Sequence, residues 1–428
     1  MPATGVKYQH RVLGMLSLLS IITYLDRVCI AVAGPRMQDA LHIGPEAWGW
    51  VTSVFFFSYS VFEIPTGVMG DRIGARRVLT RIVLWWSAFT TLTGAVSGYA
   101  ALLATRFLFG VGEAGAYPNM SVVIAHWIPA SKRARAWGVV FMTSQLGGAL
   151  SPLLVVPIQM RYGWRASFFA FGFLGVLWGA IWYLWFRDSP EEQPGVTDAE
   201  RREIGNIPRA EHPRLPWKLA LRSAQLWRIS LIGGCYLYVM AFFQSWLQTY
   251  LVRGRGYSEA ALMFSTLPYL IGAIAACSGG LVSDALARRI GLKAGRRTLG
   301  LLGLGTAAIF LTATVITRSN ALALVFLSLS YTGILLQQPN LCAVVLDIGR
   351  KHAGGVFAFL NTVSNSASAL STVTFGYLVA HFGNYDAPFI PMIAALILGT
   401  FLWARVDPTE ELFAHEPEVR VQATGLAL

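Results

Sequence analysis

Four charged residues interrupt long apolar stretches of the sequence. Asp26 and Arg27 lie within one stretch, and Arg106 and Glu113 lie within another. A charged side chain near the middle of a bilayer costs about 2.5 to 3.5 kcal/mol on insertion scales, so the four together would cost on the order of 10 kcal/mol unless they face one another or water. We therefore expect these four residues to carry function.

The spacing of these residues suggests how they could act together. Arg106 and Glu113 are separated by about two helical turns, so they point to one side of a helix. Tyr24 and Arg27 share a helical face, whereas the neighbours Asp26 and Arg27 project about 100° apart. An arginine fork binds a carboxylate bidentately, and a carboxylate in a poorly solvated site can take up a proton. The pattern predicts that an anion and a proton enter one site as a nearly neutral set.

Structural explanations of the same residues stay open. Arg106 and Glu113 could form an ion pair that only holds helices together, and Asp26 could only neutralise Arg27. Three glycines near Arg106 and Glu113 predict that a neighbouring helix or a ligand approaches the backbone closely there. They are Gly110, Gly112 and Gly115.

The composition is that of a membrane protein. Of the 428 residues, 55% are apolar and 13% are charged, and the mean hydropathy is +0.53. Apolar blocks of roughly 20 residues, long enough to cross a hydrocarbon core as helices, recur along the whole length. The first block has no small-residue cleavage site, so we interpret it as a retained span rather than a secretory signal. The predicted spans are 12–33, 47–70, 78–97, 100–127, 134–158, 164–187, 225–252, 258–284, 297–317, 321–346, 352–381 and 385–405.

These spans fall into two groups of six, separated by a polar break. We predict an N-terminal bundle at 1–187, a linker at 188–222, a C-terminal bundle at 223–406 and a polar tail at 407–428. Lys and Arg residues concentrate in the loops after the second, fourth and eighth spans, as they do in cytoplasmic loops. We therefore expect both termini and the linker to lie in the cytoplasm.

The net charge of +12 does not indicate a nucleic-acid partner, because the basic residues form short clusters between apolar blocks rather than one continuous face. The four cysteines lie inside apolar blocks and have no metal-ligand spacing, so we expect neither disulfides nor a metal site. They are Cys29, Cys235, Cys277 and Cys342.

A short motif recurs in the two groups of spans. The segment from Gly67 to Arg77, GVMGDRIGARR, and the segment from Gly280 to Arg297 both begin with Gly, three residues and Asp, and both continue with a basic cluster. Matching positions in two six-helix groups are what a duplicated transporter would show.

The first of these segments resembles the loop signature of the major facilitator superfamily, except at Ala75, where a basic residue is usual. YLDR, from Tyr24 to Arg27, and RFLFGVGEAGAYPN, from Arg106 to Asn119, resemble the anion:cation symporter family within it. The similarity covers essentially the whole chain. It implies an all-α membrane protein with twelve transmembrane helices in two six-helix bundles, related by a pseudo-twofold axis along the membrane normal.

The resemblance also implies roles for individual residues. Arg27 and Arg106 would bind the substrate carboxylate, and Asp26 and Glu113 would take up protons. Further candidate substrate contacts are Tyr24, Tyr59, Gln145, Asn361 and Asn365, and for the last three hydrogen bonding between helices is the alternative. The candidate gating residues are Gly67, Asp71, Arg72, Gly74, Arg76, Arg77 and Asp284. Glu63 stands where many relatives have Gln, and this extra carboxylate could alter the proton count or the choice of substrate. The alternative for Glu63 is a structural or interfacial role.

The expected function is proton-coupled symport of a small organic anion, a sugar acid such as a hexuronate, galactonate or glucarate. No cofactor is expected, since a proton gradient supplies the energy, and the protein is expected to act as a monomer in a bacterial inner membrane. The alternatives are an organophosphate or other carboxylate exchanger or exporter, and a membrane nutrient sensor that does not transport. An enzyme is disfavoured because no Ser/His/Asp set, metal spacing or phosphate loop appears in the sequence.

Overall fold

The computed structural model describes residues 7–205 and 217–412. Within those ranges all regular secondary structure is helical, as the sequence predicts. The α-helices are α1 (Tyr8–Ala40), α2 (Pro45–Ile73), α3 (Ala75–Ala95), α4 (Tyr99–Glu113), α5 (Ala116–Trp127), α6 (Arg133–Tyr162), α7 (Trp164–Trp185), α8 (Asp198–Ile204), α9 (Trp217–Ala220), α10 (Ala224–Ser245), α11 (Leu247–Thr249), α12 (Thr266–Ile290), α13 (Leu292–Ile316), α14 (Asn320–Gly349), α15 (Ala353–Phe382) and α16 (Phe389–Trp403).

Each of the twelve predicted spans corresponds to one helix or to consecutive helices. The span predicted at 100–127 is divided between α4 and α5, and the span predicted at 225–252 continues from α10 through α11 into a π-helical turn at Tyr250–Gly254. Seven of the described helical segments are long and apolar enough to cross a membrane by length and composition alone. This count covers only the described residues.

The break between α4 and α5 has a local cause that the predicted span 100–127 did not take into account. Gly115 has a φ of +85°, a left-handed conformation that glycine adopts readily. Pro118, in the first turn of α5, has no N–H to donate to a preceding carbonyl. As a result α4 ends at Glu113, and its last turn closes through a 3.0 Å bond from Ala114 N to Gly110 O.

The same packing pattern occurs twice along the chain. In the N half (α1–α7), α1 packs on α6, α2 on α4, and α3 on α7. In the C half (α10–α16), the equivalent pairs are α10 with α15, α12 with α14, and α13 with α16. This repetition agrees with the duplication that the recurring motif predicts.

The two halves meet along two seams, α2 against α15 and α6 against α12. Glycine makes the first seam close: a Cβ on Gly49 would lie 2.8 Å from the carbonyl oxygen of Thr372. A Cβ on Gly376 would also overlap the carbonyl oxygen of Pro45. These glycines therefore let α2 and α15 approach each other at backbone distance.

Successive spans alternate in direction, so the molecule has a terminal end, where α1 begins, and a far end, where α1 finishes. At the far end Glu259 of the C half accepts a 2.6 Å bond from Arg36 and a 2.8 Å bond from Gln159. Arg253 donates to Asp39 at 2.7 Å. Both sets of bonds cross between the halves, so the far end is closed.

The outward-facing surface of the bundle carries large apolar side chains that water would not favour. Such a surface suits the acyl chains of a bilayer. The most exposed of these side chains include Phe173, Leu184, Ile274, Leu281, Ile316 and Ile390.

Candidate functional site

We call the charged side chains in the middle of the spans the interior charged residues, as distinct from those at helix ends. In the described chain, all of them lie in the N half. Two are on α1, one is on α2 and two are on α4. They are Asp26, Arg27, Glu63, Arg106 and Glu113.

Arg27 and Glu113 form an ion pair between α1 and α4. Arg27 Nε donates to Glu113 Oε1, and the two side chains are 11% and 1% exposed. Neither side chain has all of its hydrogen-bonding atoms paired, because Arg27 Nη2 and Glu113 Oε2 are buried and make no hydrogen bond. The pair thus keeps one donor and one acceptor available for a ligand or a proton.

Three aromatic rings surround the Arg27 guanidinium. Its central carbon lies 4.8 Å from the ring centre of Tyr59, 5.4 Å from that of Phe55 and 5.6 Å from that of Tyr24. Rings at these distances stabilise a cation through their π faces. The predicted contacts Tyr24 and Tyr59 therefore lie beside the predicted anion-binding arginine.

Arg106 and Asp26 lie deeper inside the N half, and each is 3% exposed. The Arg106 guanidinium is 4.5 Å from the ring centre of Phe109 and 5.0 Å from that of Phe55, and its Nε makes no hydrogen bond. Neither Asp26 oxygen makes a hydrogen bond of good geometry, although the indole of Trp86 lies close enough to act on the carboxylate. The sequence placed Arg106 and Glu113 on one side of α4, but the hydrogen-bond partner of Glu113 is Arg27 instead.

The glycines around the charged residues are contact points, as the sequence predicts. A Cβ on Gly110 would overlap Ser58 and lie 2.7 Å from the carbonyl oxygen of Phe55. A Cβ on Gly112 would overlap Trp85, and one on Gly115 would overlap Thr66. The expectation that neighbouring helices approach α4 closely is confirmed, with α2 and α3 as the neighbours.

A group of hydroxyls beside Arg27 was missed by the sequence reasoning. Ser144 Oγ lies 2.6 Å from Ser20 Oγ and 2.9 Å from the Tyr117 hydroxyl. The Tyr117 ring stacks on Trp137 and Phe141. Tyr117 lies four residues after Glu113, inside the conspicuous segment AGAYPN, and its place in that motif was the available signal.

Two of the predicted amide contacts face the other half of the molecule. Gln145 Oε1 accepts a 2.8 Å bond from the Tyr331 hydroxyl, and Asn361 Nδ2 donates to both carboxylate oxygens of Glu63 at 2.6 Å. Asn365 Nδ2 donates to the Asn361 carbonyl at 3.0 Å. The structure therefore brings Asn361 to Glu63, one helical turn from Tyr59.

The predicted gating residues lie at the terminal end. Arg76 N donates to Asp188 Oδ1 at 2.7 Å, next to Gly74, which has a φ of +87°, and Arg77 is exposed. Asp284 pairs with Arg296 at 3.2 Å. A Cβ on Gly67 would lie 3.1 Å from Pro118 of α5. The side chains of Asp71 and Arg72 lie outside the described part of the structure.

Comparisons with known proteins agree with this architecture. Residues 16–372 match the sequence profile of the Major Facilitator Superfamily. Over 429 aligned residues the chain is 32% identical to a probable sulfoacetate transporter of Cupriavidus necator, with 99% of each chain covered. It is 27% identical over 380 residues to a hexuronate transporter of Bacillus subtilis, covering 88% of this chain and 89% of that one.

Among solved structures, the chain is similar to the crystal structure of a bacterial homologue of the human lysosomal transporter Spinster in an inward-facing, unoccupied conformation. The TM-score is 0.76, with 93% of this chain and 97% of that one covered. At 18% identity this likeness supports the fold alone. The family match and the full-length relatives show more: the chain belongs to the major facilitator superfamily, as a transporter of organic anions of the anion:cation symporter type and not an enzyme.

Proposed function

We propose that this protein carries a small organic anion together with protons, by opening its interior alternately to the two sides of the membrane. The proposed cargo is a sugar acid such as a hexuronate, galactonate or glucarate. A small sulfonate is a second candidate, because the chain is similar over its whole length to a probable sulfoacetate transporter.

The observation that carries the proposal is the half-satisfied ion pair of Arg27 and Glu113. Arg27 has a free buried donor and Glu113 a free buried acceptor. When Glu113 takes up a proton it loses its charge, and the whole guanidinium fork of Arg27 becomes available to an incoming carboxylate. Anion and proton then bind as a set, since neither leaves an unbalanced charge in a poorly solvated interior.

The remaining residues complete the proposed site. We assign a second proton to Asp26, whose oxygens have no hydrogen-bond partner and whose nearest cation is Arg106. Arg106 would reach the substrate as α4 moves, and the Tyr24 and Tyr59 hydroxyls would contact it directly. Gln145, Asn361 and Asn365 would supply amide contacts from the two seams.

We further propose an orientation and a working state. The terminal end faces the cytoplasm of a bacterial cell, and one chain acts alone with no cofactor besides the proton gradient. The far end, closed by Glu259 and Asp39, then faces the outside. This conformation is the one that exchanges substrate with the cytoplasm.

The proposal is tested with purified protein in proteoliposomes. Labelled D-glucuronate, D-galactonate, D-glucarate and sulfoacetate are each offered with and without an inward proton gradient. The gradient is expected to drive accumulation of at least one of them. Arg106→Ala is expected to abolish binding, and Glu113→Gln to retain exchange but lose gradient-driven accumulation.

Arg161→Ala serves as the matched control, because this arginine is exposed at the far end of α6. Normal accumulation by both Arg106→Ala and Glu113→Gln would refute the assignment. Binding without flux would identify a sensor. Counterflow against a sugar phosphate would identify an organophosphate exchanger, which the pairing of Arg27 with an acid disfavours.

A further inference from the structure

Glu63 makes a polar contact across the α2–α15 seam. Its bond partner Asn361 belongs to the C half, and in the described part of the chain no hydrogen bond between the halves lies nearer the terminal end. At 1.5 Å per residue the contact lies about 15 Å from the end of α2 and about 12 Å from the start of α15. It therefore stands between the Arg27 site and the terminal end.

The charges around Glu63 do not give it a cation of its own. Arg27 of α1 is the charged group that acts on it, but Arg27 is paired with Glu113 of α4. On its other sides Glu63 faces the amide of Asn361 on α15 and the hydroxyl of Tyr59 on α2. Tyr117 of α5 acts on the Arg27 guanidinium.

The interior charged residues are therefore unbalanced. Two guanidinium groups, Arg27 and Arg106, stand against three carboxylates, those of Asp26, Glu63 and Glu113. A bound anion adds a further negative charge to this set. A singly charged anion brings the sum to −2, which one proton on Asp26 and one on Glu113 neutralise, whereas a doubly charged anion such as D-glucarate or sulfoacetate brings it to −3. Net charge in a poorly solvated interior is costly, so a doubly charged anion requires a third proton, and Glu63 is the remaining interior carboxylate.

The contact itself depends on the charge of Glu63. The Asn361 amide nitrogen has two hydrogens, and a carboxylate can accept both, one on each oxygen. A protonated carboxyl group has turned one of those oxygens into a donor, so one of the two bonds is lost. A proton on Glu63 thus weakens the link between α2 and α15 in this conformation.

We propose that Glu63 is a third proton-binding carboxylate of the transport cycle, and that its charge sets the strength of the contact between the two halves. An anion at Arg27 repels a charged Glu63, so anion binding and proton binding at Glu63 favour each other. Its place in transport rests on the proposed function, but the protonation and the contact are testable without a substrate.

The test is an infrared pH titration of full-length protein carrying Asp26→Asn and Glu113→Gln, which leaves Glu63 as the interior carboxyl group. The carbonyl band of a protonated carboxyl group is expected to appear as the pH falls and to vanish in the additional variant Glu63→Gln. Asn361→Leu is expected to move the midpoint to higher pH, because the lost bonds favoured the charged form.

Asn365→Leu is the matched control, since this neighbour donates to a backbone carbonyl and not to Glu63. Its midpoint is expected to stay in place. The proposal is overturned if the band persists in Glu63→Gln, if no band titrates while the protein stays folded, or if Asn361→Leu leaves the midpoint unchanged. Glu63→Asp, which retains a carboxyl group, covers the case in which Glu63→Gln does not fold.

A second measurement connects this residue to transport. For whichever of the doubly charged anions D-glucarate and sulfoacetate is accumulated, Glu63→Gln is expected to lower the number of protons carried per anion. An unchanged ratio would overturn the role of Glu63 in the cycle. If none of the four compounds is transported, the proposed function fails while the infrared titration still decides the chemistry of Glu63.

Discussion

The N half and the C half share a packing pattern but differ in chemistry. The interior charged residues described above all belong to the N half, whereas the C half presents neutral groups to the N half, namely the Tyr331 hydroxyl to Gln145 and the Asn361 amide to Glu63. The two copies can keep the same helix contacts because packing depends on small residues and side-chain volume, not on charge. The N half can therefore bind ions, while the C half offers neutral hydrogen-bond partners to the N half.

At the terminal end, it is the C half that has a buried charged residue in ion pairs. Arg296 of the C half is buried and lies within bonding distance of Asp284, Asp347 and Ser283. Its counterpart region in the N half carries Arg76, whose guanidinium donates to a backbone carbonyl at the end of α7. The recurring motif therefore marks a shared position in the fold, and the ion pairs built on it differ between the halves.

The strongest test of this contrast is Arg27→Ala. It removes the cation from a buried pair and leaves Glu113 uncompensated, a change that costs about 3 to 5 kcal/mol in buried ion pairs. We expect loss of gradient-driven uptake and a clear fall in the thermal unfolding temperature. Arg27→Lys keeps the charge without the planar fork, so it should recover stability better than uptake. Full uptake by Arg27→Ala would place the anion site elsewhere.

A second test concerns the packing that positions α4. Gly110→Ala puts a methyl group where Ser58 and the Phe55 backbone already lie, and overpacking of this kind costs about 1 to 3 kcal/mol. We expect a lower unfolding temperature, measured in the same detergent as wild type. Gly138→Ala is the control, because a Cβ there meets nothing within 4 Å, and its helix propensity should leave stability equal or slightly higher.

Much of this architecture was accessible from the sequence. Apolar block length predicted the spans, and Gly110, Gly112 and Gly115 predicted close helix contacts, because both signals are local and each has a direct physical cause. The partner of Glu113 was not predictable in this way. Whether Arg106 or Arg27 reaches it depends on how α1 is rotated against α4, and the sequence of neither helix alone contains that angle.

The contacts between the halves were also beyond the sequence. Gln145 and Asn361 were candidate substrate contacts under the family resemblance, with hydrogen bonding between helices as the alternative, but their bonds to Tyr331 and Glu63 depend on how two separate bundles dock. The break at Gly115 was missed for a different reason. A glycine inside an apolar run is compatible with either a continuous or a broken helix, and only its left-handed φ in the structure shows that the helix breaks here.

A third test measures how much the neutral C half contributes to substrate binding and uptake. Tyr331→Phe removes one buried hydrogen bond to Gln145, and such a loss costs about 0.5 to 1.5 kcal/mol. We therefore expect an apparent substrate affinity within about tenfold of wild type and uptake that is still driven by the gradient. A loss as complete as that of Arg27→Ala would show that the C half carries ion chemistry as well.

The smallest expected effect lies outside the spans, where α8 is hydrogen-bonded to the N half. Glu203 accepts bonds from Lys132 and Lys7, which lower the pKa of its carboxyl group from 4.5 to about 2. Because the pKa is lowered in the folded state, this link is fully present above about pH 4.5 and is lost as the pH falls toward 2. Hydrogen exchange in Asp198–Ile204, corrected for intrinsic rates, should rise over that window in wild type.

In Glu203→Gln the exchange should be faster at neutral pH and show no such step, with a change in overall stability below about 1 kcal/mol because the pairs are solvent-exposed. An unchanged exchange profile in Glu203→Gln would mean that α8 is held by its buried residues, Glu200 and Ile204, and that the N half needs no ion pair to keep its linker in place.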